Sequence, residues 1–180
     1  MAKKKQKKKS RFIIRIRKTE IDVVKLILAV VLPLTAGFIG SYFTYPEIIS
    51  WYNNLNKTPL TPPNSIFGPV WTTLYILMGV AFYLIWKKGI KDKIAKQAVI
   101  LFVIQLGLNS LWSILFFGLH KMFLAFVEIL LLWGVILATM LRFRMIDKRA
   151  FYLMIPYLAW VTFAAGLNLA TWMANPVFLY

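Results

Sequence analysis

Residues 26 to 46, 58 to 86, 97 to 120 and 150 to 180 carry no charged side chain, and a further apolar run from 122 to 141 is interrupted by Glu128 alone. Each run reaches the ~20 helical residues that cross about 30 Å of hydrocarbon. The pattern therefore predicts five spans, an all-α five-transmembrane-helix bundle. Three of the runs also carry stripes at helical spacing. Trp71, Tyr75, Met78 and Phe82 share one face of the second span. Asn109, Trp112, Ser113 and Phe116 do so in the third, and Trp160, Ala164, Leu167 and Thr171 in the fifth, with Asn168 beside them. Lipid gives Asn and Ser no hydrogen-bond partners, so these stripes are expected to point into the bundle. Three such faces can enclose a cavity.

Plain packing accounts for the same periodicity, and Trp51, Trp86 and Trp172, near span ends, fit an interfacial aromatic belt. Trp71, Trp112 and Trp160 differ in having a small or polar neighbour on their own helix, namely Thr72, Ser113 and Ala164. Flat walls with small gaps suit a planar ligand. The connector before the second span, WYNNLNKTPLTPPNS, is richer in ring systems than an ordinary loop. Pro59, Pro62 and Pro63 fix φ there, and Trp51 and Tyr52 supply anchors, so it is expected to form a structured lid.

Charge orients the spans. Of 22 Lys and Arg, 11 lie in the tail through Lys25, five in residues 87 to 96 and four in residues 142 to 149; Lys57 and Lys121 alone fall in the alternate connectors. Basic connectors stay on the cytoplasmic side, which places the N-terminus inside and the C-terminus outside. Residues 1 to 22 read as a basic, disordered cytoplasmic tail, and 23 to 180 as the five-helix domain. The net charge of +16 raises nucleic acid as a partner. A juxtamembrane cluster is better explained by anionic lipid headgroups, at about 1 kcal/mol per residue, and no nucleic acid is expected. The apolar segment after Lys25 exceeds a typical signal-peptide core and is read as the first helix.

Familiar catalytic equipment is missing from the sequence. The chain has no Cys, which excludes disulfides, zinc clusters and iron–sulfur ligation. Its one His, His120, sits at a short connector and is read as interfacial rather than as a haem ligand. No phosphate-cradling loop, nucleophile elbow or HExxH pattern is present, and no metal site is expected. Glu128 is an acid well inside a span, where ionisation costs several kcal/mol unless the group is paired, protonated or hydrated. It is expected to face protein or water, either as a proton or ligand partner or as a fixture of the fourth helix.

The ordered set Trp51, Tyr52, Leu55, Lys57, Pro59, Pro62, Pro63, Phe67, Trp71, Leu74, Tyr75, Met78 and Gly79 closely resembles the TspO/translocator protein family, the tryptophan-rich sensory proteins or peripheral-type benzodiazepine receptors. QLGLNSLW from Gln105 to Trp112, followed by Phe116, Phe117 and Gly118, is similar to the family's third helix. PYLAWVTFAAGLN from Pro156 to Asn168 is similar to its fifth. The resemblance covers roughly residues 25 to 175, and Glu128 stands where members often have an acid.

That resemblance implies a five-helix bundle, often a homodimer, with a pocket capped by the loop between the first two helices. It implies ligands such as protoporphyrin IX or a haem-like tetrapyrrole, along with benzodiazepine-site compounds, and a role in regulating tetrapyrrole metabolism or stress responses. No cofactor is required. Carried over by motif, the ligand-binding residues are Tyr52, Pro62, Trp71, Tyr75, Asn109, Trp112, Ser113, Phe116, Trp160 and Ala164, with Lys57 near propionates at the mouth. Some members are reported to degrade protoporphyrin in light, which would make Trp71 and Trp160 the catalytic residues by motif. Sterol-responsive relatives carry a Tyr and then an Arg near the end of the fifth helix, where this chain has Leu169 and Met173. That departure argues against cholesterol and points to the prokaryotic branch, in a plasma membrane. Sensor, light-dependent enzyme and tetrapyrrole or lipid transporter all remain open. Against the transporter, the spans show no internal repeat, and only Pro33 and Pro156 offer breaks well within them.

Overall fold

In the computed structural model, residues 21–175 are described; the basic tail expected to be disordered falls largely on residues 1–20, outside the described residues. Five long helices follow one another: α1 (Val23–Ser50), α2 (Asn64–Lys88), α3 (Lys93–Ser113), α4 (Met122–Ile146) and α5 (Lys148–Met173). All are long and apolar enough to span a bilayer. A single 3₁₀ turn, Tyr52–Asn54, interrupts the connector after α1. Pro33, Pro46, Pro69 and Pro156 lie within helices that continue across them, so none breaks a span.

The helices close into a ring that does not follow chain order. α1 packs on α2, α2 on α5, α5 on α4, α4 on α3, and α3 back on α1, while the backbone of α2 stays away from those of α3 and α4 and meets them through long side chains. Small residues permit the closest approach. A methyl group added at Gly79 would stand 2.5 Å from Val30 Cα, so α1 and α2 cross there with glycine against backbone. Ser110 on α3 donates to the Ala36 carbonyl of α1 at 2.8 Å, which seals the other side of α1.

At one end of the ring, the capping residues follow helix polarity. α1, α3 and α5 begin there, and Asp22, Asp92 and Asp147 cap them by accepting backbone N–H groups from Lys25, Ala95 and Arg149. α2 and α4 end there, with Lys87, Lys88 and Arg144 in their last turns. Acid at N-termini and base at C-termini both complement the helix dipole. The interior behind this basic end is solid. Phe82 and Phe102 stack at 4.6 Å with planes 3° apart, Phe143 joins at 5.9 Å, and Met78, Ile85, Ile136, Met140 and Met154 are fully or almost fully buried around them.

The opposite end is less regular. The expected third helix, over residues 97 to 120, is α-helical only through Ser113 and then widens into one π-helical turn, Ile114–Gly118, closed by the Leu119 N–H on the Ile114 carbonyl at 2.8 Å. That turn presents Phe116 and Phe117 to the interior together, and both are buried. His120 then reverses the chain with φ at 55°, the one non-glycine positive φ among the described residues.

Asp147 joins α4 to α5 and is nearly buried; Arg149 holds it bidentately, and Lys88 lies 3.2 Å away. The Arg149 side chain, foremost, then its N–H and Lys88, hold the carboxyl well below the usual carboxylate range despite burial. A depressed folded-state value means that the stabilisation is complete above the unfolded value of about 4 and is lost as pH falls below it. Asp147→Ala should cost about 1–2 kcal/mol at pH 7, the size of a lost N-cap, and the deficit should shrink in acid. Thermal unfolding in detergent at pH 7 and pH 3 measures both.

Candidate functional site

Two buried amides at the hollow end find all their strong partners on neighbouring helices, as polar groups out of reach of water require. Asn109 of α3 accepts from the Tyr75 hydroxyl of α2 at 2.6 Å and donates to the Tyr157 hydroxyl of α5 at 3.3 Å. Asn168 of α5 accepts from Trp112 Nε1 of α3 at 3.0 Å and donates to the Met122 carbonyl of α4 at 2.9 Å. Each amide thus bridges two other helices. Between them the rings leave a cavity of about 740 Å³.

Its wall draws on four helices and the lid. α2 supplies Phe67, Trp71 and Tyr75; α3 and its π turn supply Asn109, Trp112, Ser113, Phe116 and Phe117; α5 supplies Trp160, Ala164, Leu167, Asn168 and Thr171. The aromatic groups support one another. Trp71 stacks on Tyr75 at 5.5 Å, Trp112 on Phe116 at 5.1 Å, and Phe67 meets Trp160 edge-on at 5.9 Å. The Trp160 indole N–H is buried without a protein acceptor.

The lid is tied down at several points. Tyr52 and Leu55 are buried against Leu115, Phe116 and Phe117. The Lys57 ammonium donates to the Tyr52 and Asn53 carbonyls at 2.7 and 3.2 Å and lies 4.7 Å from the centre of the Tyr52 ring. Asn56 and Asn175 exchange hydrogen bonds of 3.0 and 2.9 Å, which strap the connector to the end of α5. Trp51 stacks on His120 at 4.1 Å, and His120 Nε2 lies 3.0 Å from Glu47 Oε2 on α1.

All the residues assigned to ligand binding from the sequence meet on this wall except Pro62, which is half-buried in the lid and does not line the cavity. Prolines here shape the roof; Tyr52 reaches beneath it. Lys57, expected at the mouth, is engaged by lid carbonyls instead. Glu128 faces protein as expected, with neither carboxyl oxygen bonded to another protein group, and it is absent from the cavity wall. Among the described residues no cluster of three or more metal-ligating side chains occurs.

The wall contributed by α1 was missed in the sequence. Leu34, Gly37, Phe38, Ser41, Thr44, Tyr45 and Ile48 form it. Gly37 is required: the Tyr75 ring occupies the space that any side chain there would need. The available signal was the spacing of small and hydroxyl residues, Gly37, Ser41 and Thr44, at i, i+4 and i+7.

The TspO/MBR family model matches residues 29–173. Tryptophan-rich protein TspO of Archaeoglobus fulgidus is 39% identical over 86% of this chain and 99% of its own length. Its namesake in Chlorobaculum tepidum is 43% identical, with coverage of 86% and 98%. The translocator protein of Ovis aries is 42% identical over 79% of this chain and 85% of its own.

Tyr75 and Asn109 should be energetically coupled, since removing either leaves the other buried and short of a partner. Tyr75→Phe should cost about 1 kcal/mol and Asn109→Leu about 1–3 kcal/mol. The double variant should lose less than the sum, by at least about 0.5 kcal/mol. A cycle of reversible unfolding measurements tests this.

Proposed function

The chain belongs to the TspO/MBR family, and from that premise we propose that it is a multi-pass membrane receptor that binds porphyrins, protoporphyrin IX foremost, in the cavity beneath the lid. Ligand occupancy would report on tetrapyrrole levels and so regulate their metabolism or a stress response. The observation that carries the reading is the hollow of about 740 Å³ between Trp71, Tyr75, Trp112, Phe116 and Trp160. Its size falls in the range of about 300–1,000 Å³ usual for small-molecule pockets. A macrocycle has a broad π-face, and each well-placed ring contact contributes about 0.5–1.5 kcal/mol beyond area burial. The hydroxyls of Ser113 and Thr171 on the wall supply directional contacts to its polar edge.

Charge distribution supports the orientation that accompanies this reading. The end rich in Lys and Arg faces the cytoplasm and its anionic lipids, and the cavity lies in the outer half of the span. An alternative reading is light-dependent porphyrin degradation. It is favoured by the position of two oxidisable indoles, Trp71 and Trp160, on the same wall.

Titrating purified protein with protoporphyrin IX in the dark should quench Trp fluorescence saturably. Trp112→Ala should weaken binding by about tenfold, the equivalent of 1.4 kcal/mol. Unsaturable quenching, equal for parent and variant, would refute the receptor site. Irradiation in air, followed by chromatography, separates the alternatives. Catalysis requires new pigmented products that form more slowly with Trp71→Phe or Trp160→Phe; recovery of intact protoporphyrin leaves the receptor reading.

A further inference from the structure

Among the described residues, the exposed part of the cavity wall lies on one side. Its floor is the Tyr75–Asn109–Tyr157 network. Between α2 and α5 stand the Phe67–Trp160 and Trp71–Tyr157 contacts. Between α1 and α3, Ser113 Oγ lies against Gly40, and Ser110 bonds to Ala36. The roof is strapped by Lys57, Asn56 and Asn175. Exposed wall residues remain on two helices: Phe38, Ser41 and Tyr45 on α1, and Asn64, Ser65, Gly68 and Thr72 on α2. Phe38 and Tyr45 are 72% and 74% exposed. From the midpoint of α1 at Phe38 to Ile48, this slot rises about 15 Å along the helix.

The chemistry of the slot matches hydrocarbon rather than water. Ser41 donates to the Phe38 carbonyl, Thr44 to Gly40 and Thr72 to Gly68, at 2.8 to 3.0 Å, so these hydroxyls are satisfied by their own helices. These three present carbon to a passing molecule, and the Asn64 amide at the rim donates to Asn53 Oδ1 at 3.2 Å. Gly68 leaves an opening at the rim, with no atom within 4 Å of where a Cβ would stand.

We infer that the ligand reaches the cavity sideways from the bilayer, through the slot between α1 and α2, and that the lid is a fixed roof and not the gate. This rests on the receptor reading above and adds a selection rule to it. Only molecules that partition into the membrane gain access, so flat amphiphiles with an apolar body are admitted and water-soluble, highly charged ones are not. Ligand concentration in the bilayer, not in water, then sets occupancy.

Full-length protein in lipid nanodiscs tests the route by stopped-flow Trp quenching with protoporphyrin IX. Gly68→Trp should slow association and dissociation together by tenfold or more, because a narrowed gate raises the same barrier in both directions. Since the parent has no Cys, an Asn56→Cys/Asn175→Cys pair can lock the strap on oxidation; both rates should stay within twofold of those of the reduced form. Slowing by the locked strap, or unchanged rates in Gly68→Trp, overturns the inference. A spin label on Thr72→Cys gives a readout that needs no ligand. Relaxation by oxygen but not by an aqueous nickel chelate supports a lipid-filled slot, and the reverse refutes it. Absence of saturable binding in every variant and the parent would refute the receptor reading, while the spin-label result still decides whether the slot opens to lipid.

Discussion

Two buried side-chain amides hold this bundle together as a hollow object. Helices in hydrocarbon gain little from hiding apolar surface, since lipid is as apolar as leucine, so their arrangement depends on close packing and on polar groups that have no other partner. Asn109 ties α3 to α2 and α5; Asn168 ties α5 to α3 and α4; Ser110 ties α3 to α1. Every helix is reached by at least one of these bonds. Without them, the rings around the cavity would have reason to collapse inward. With them, the helix spacing is set by bond lengths at the amides, and the indoles become walls.

Sequence periodicity revealed this arrangement where the side chains were chemically conspicuous. Trp71 with Tyr75, Asn109 with Trp112, and Trp160 with Ala164 recur at helical spacing in otherwise apolar runs, and a polar group in lipid has one sensible direction to face. The α1 wall was illegible for the opposite reason. Gly37, Ser41 and Thr44 look like ordinary small residues for close packing, and Gly37 does serve that purpose against Tyr75. Pro62 was misplaced because a rigid loop constrains its own path without specifying which atom reaches the interior. Lys57 was read by its charge, whereas its ammonium satisfies carbonyls of the lid that carries it. The Asn56–Asn175 strap joins residues 119 apart in sequence, and local pattern carries no trace of it.

The π turn at Ile114–Gly118 shows how a local irregularity serves the site. An α-helix continued through this stretch would advance each side chain by 100° per residue and separate Phe116 from Phe117 around the helix. The wider turn narrows that angle only a little, and both rings are buried because they find partners on different neighbours: Phe116 meets Trp112 and Phe117 meets Tyr52. The bond lost from the regular ladder is replaced by Leu119 on Ile114. Such turns are uncommon except where a site needs them, and here the turn joins the lid to the cavity wall.

A hollow costs stability, because the atoms lining it lack partners on one side. The basic half of the bundle offsets that deficit. Phe82, Phe102 and Phe143 stack across α2, α3 and α4 among fully or almost fully buried Met and Ile side chains, and each helix end there has a charge of the sign its dipole favours. The molecule is thus divided along the membrane normal into a packed anchor and an open chamber. This division also explains why the chamber can afford a slot on one side. α1 and α2 are locked at Gly79 against Val30, deep in the packed half, so they can stand apart near their other ends without the ring coming undone.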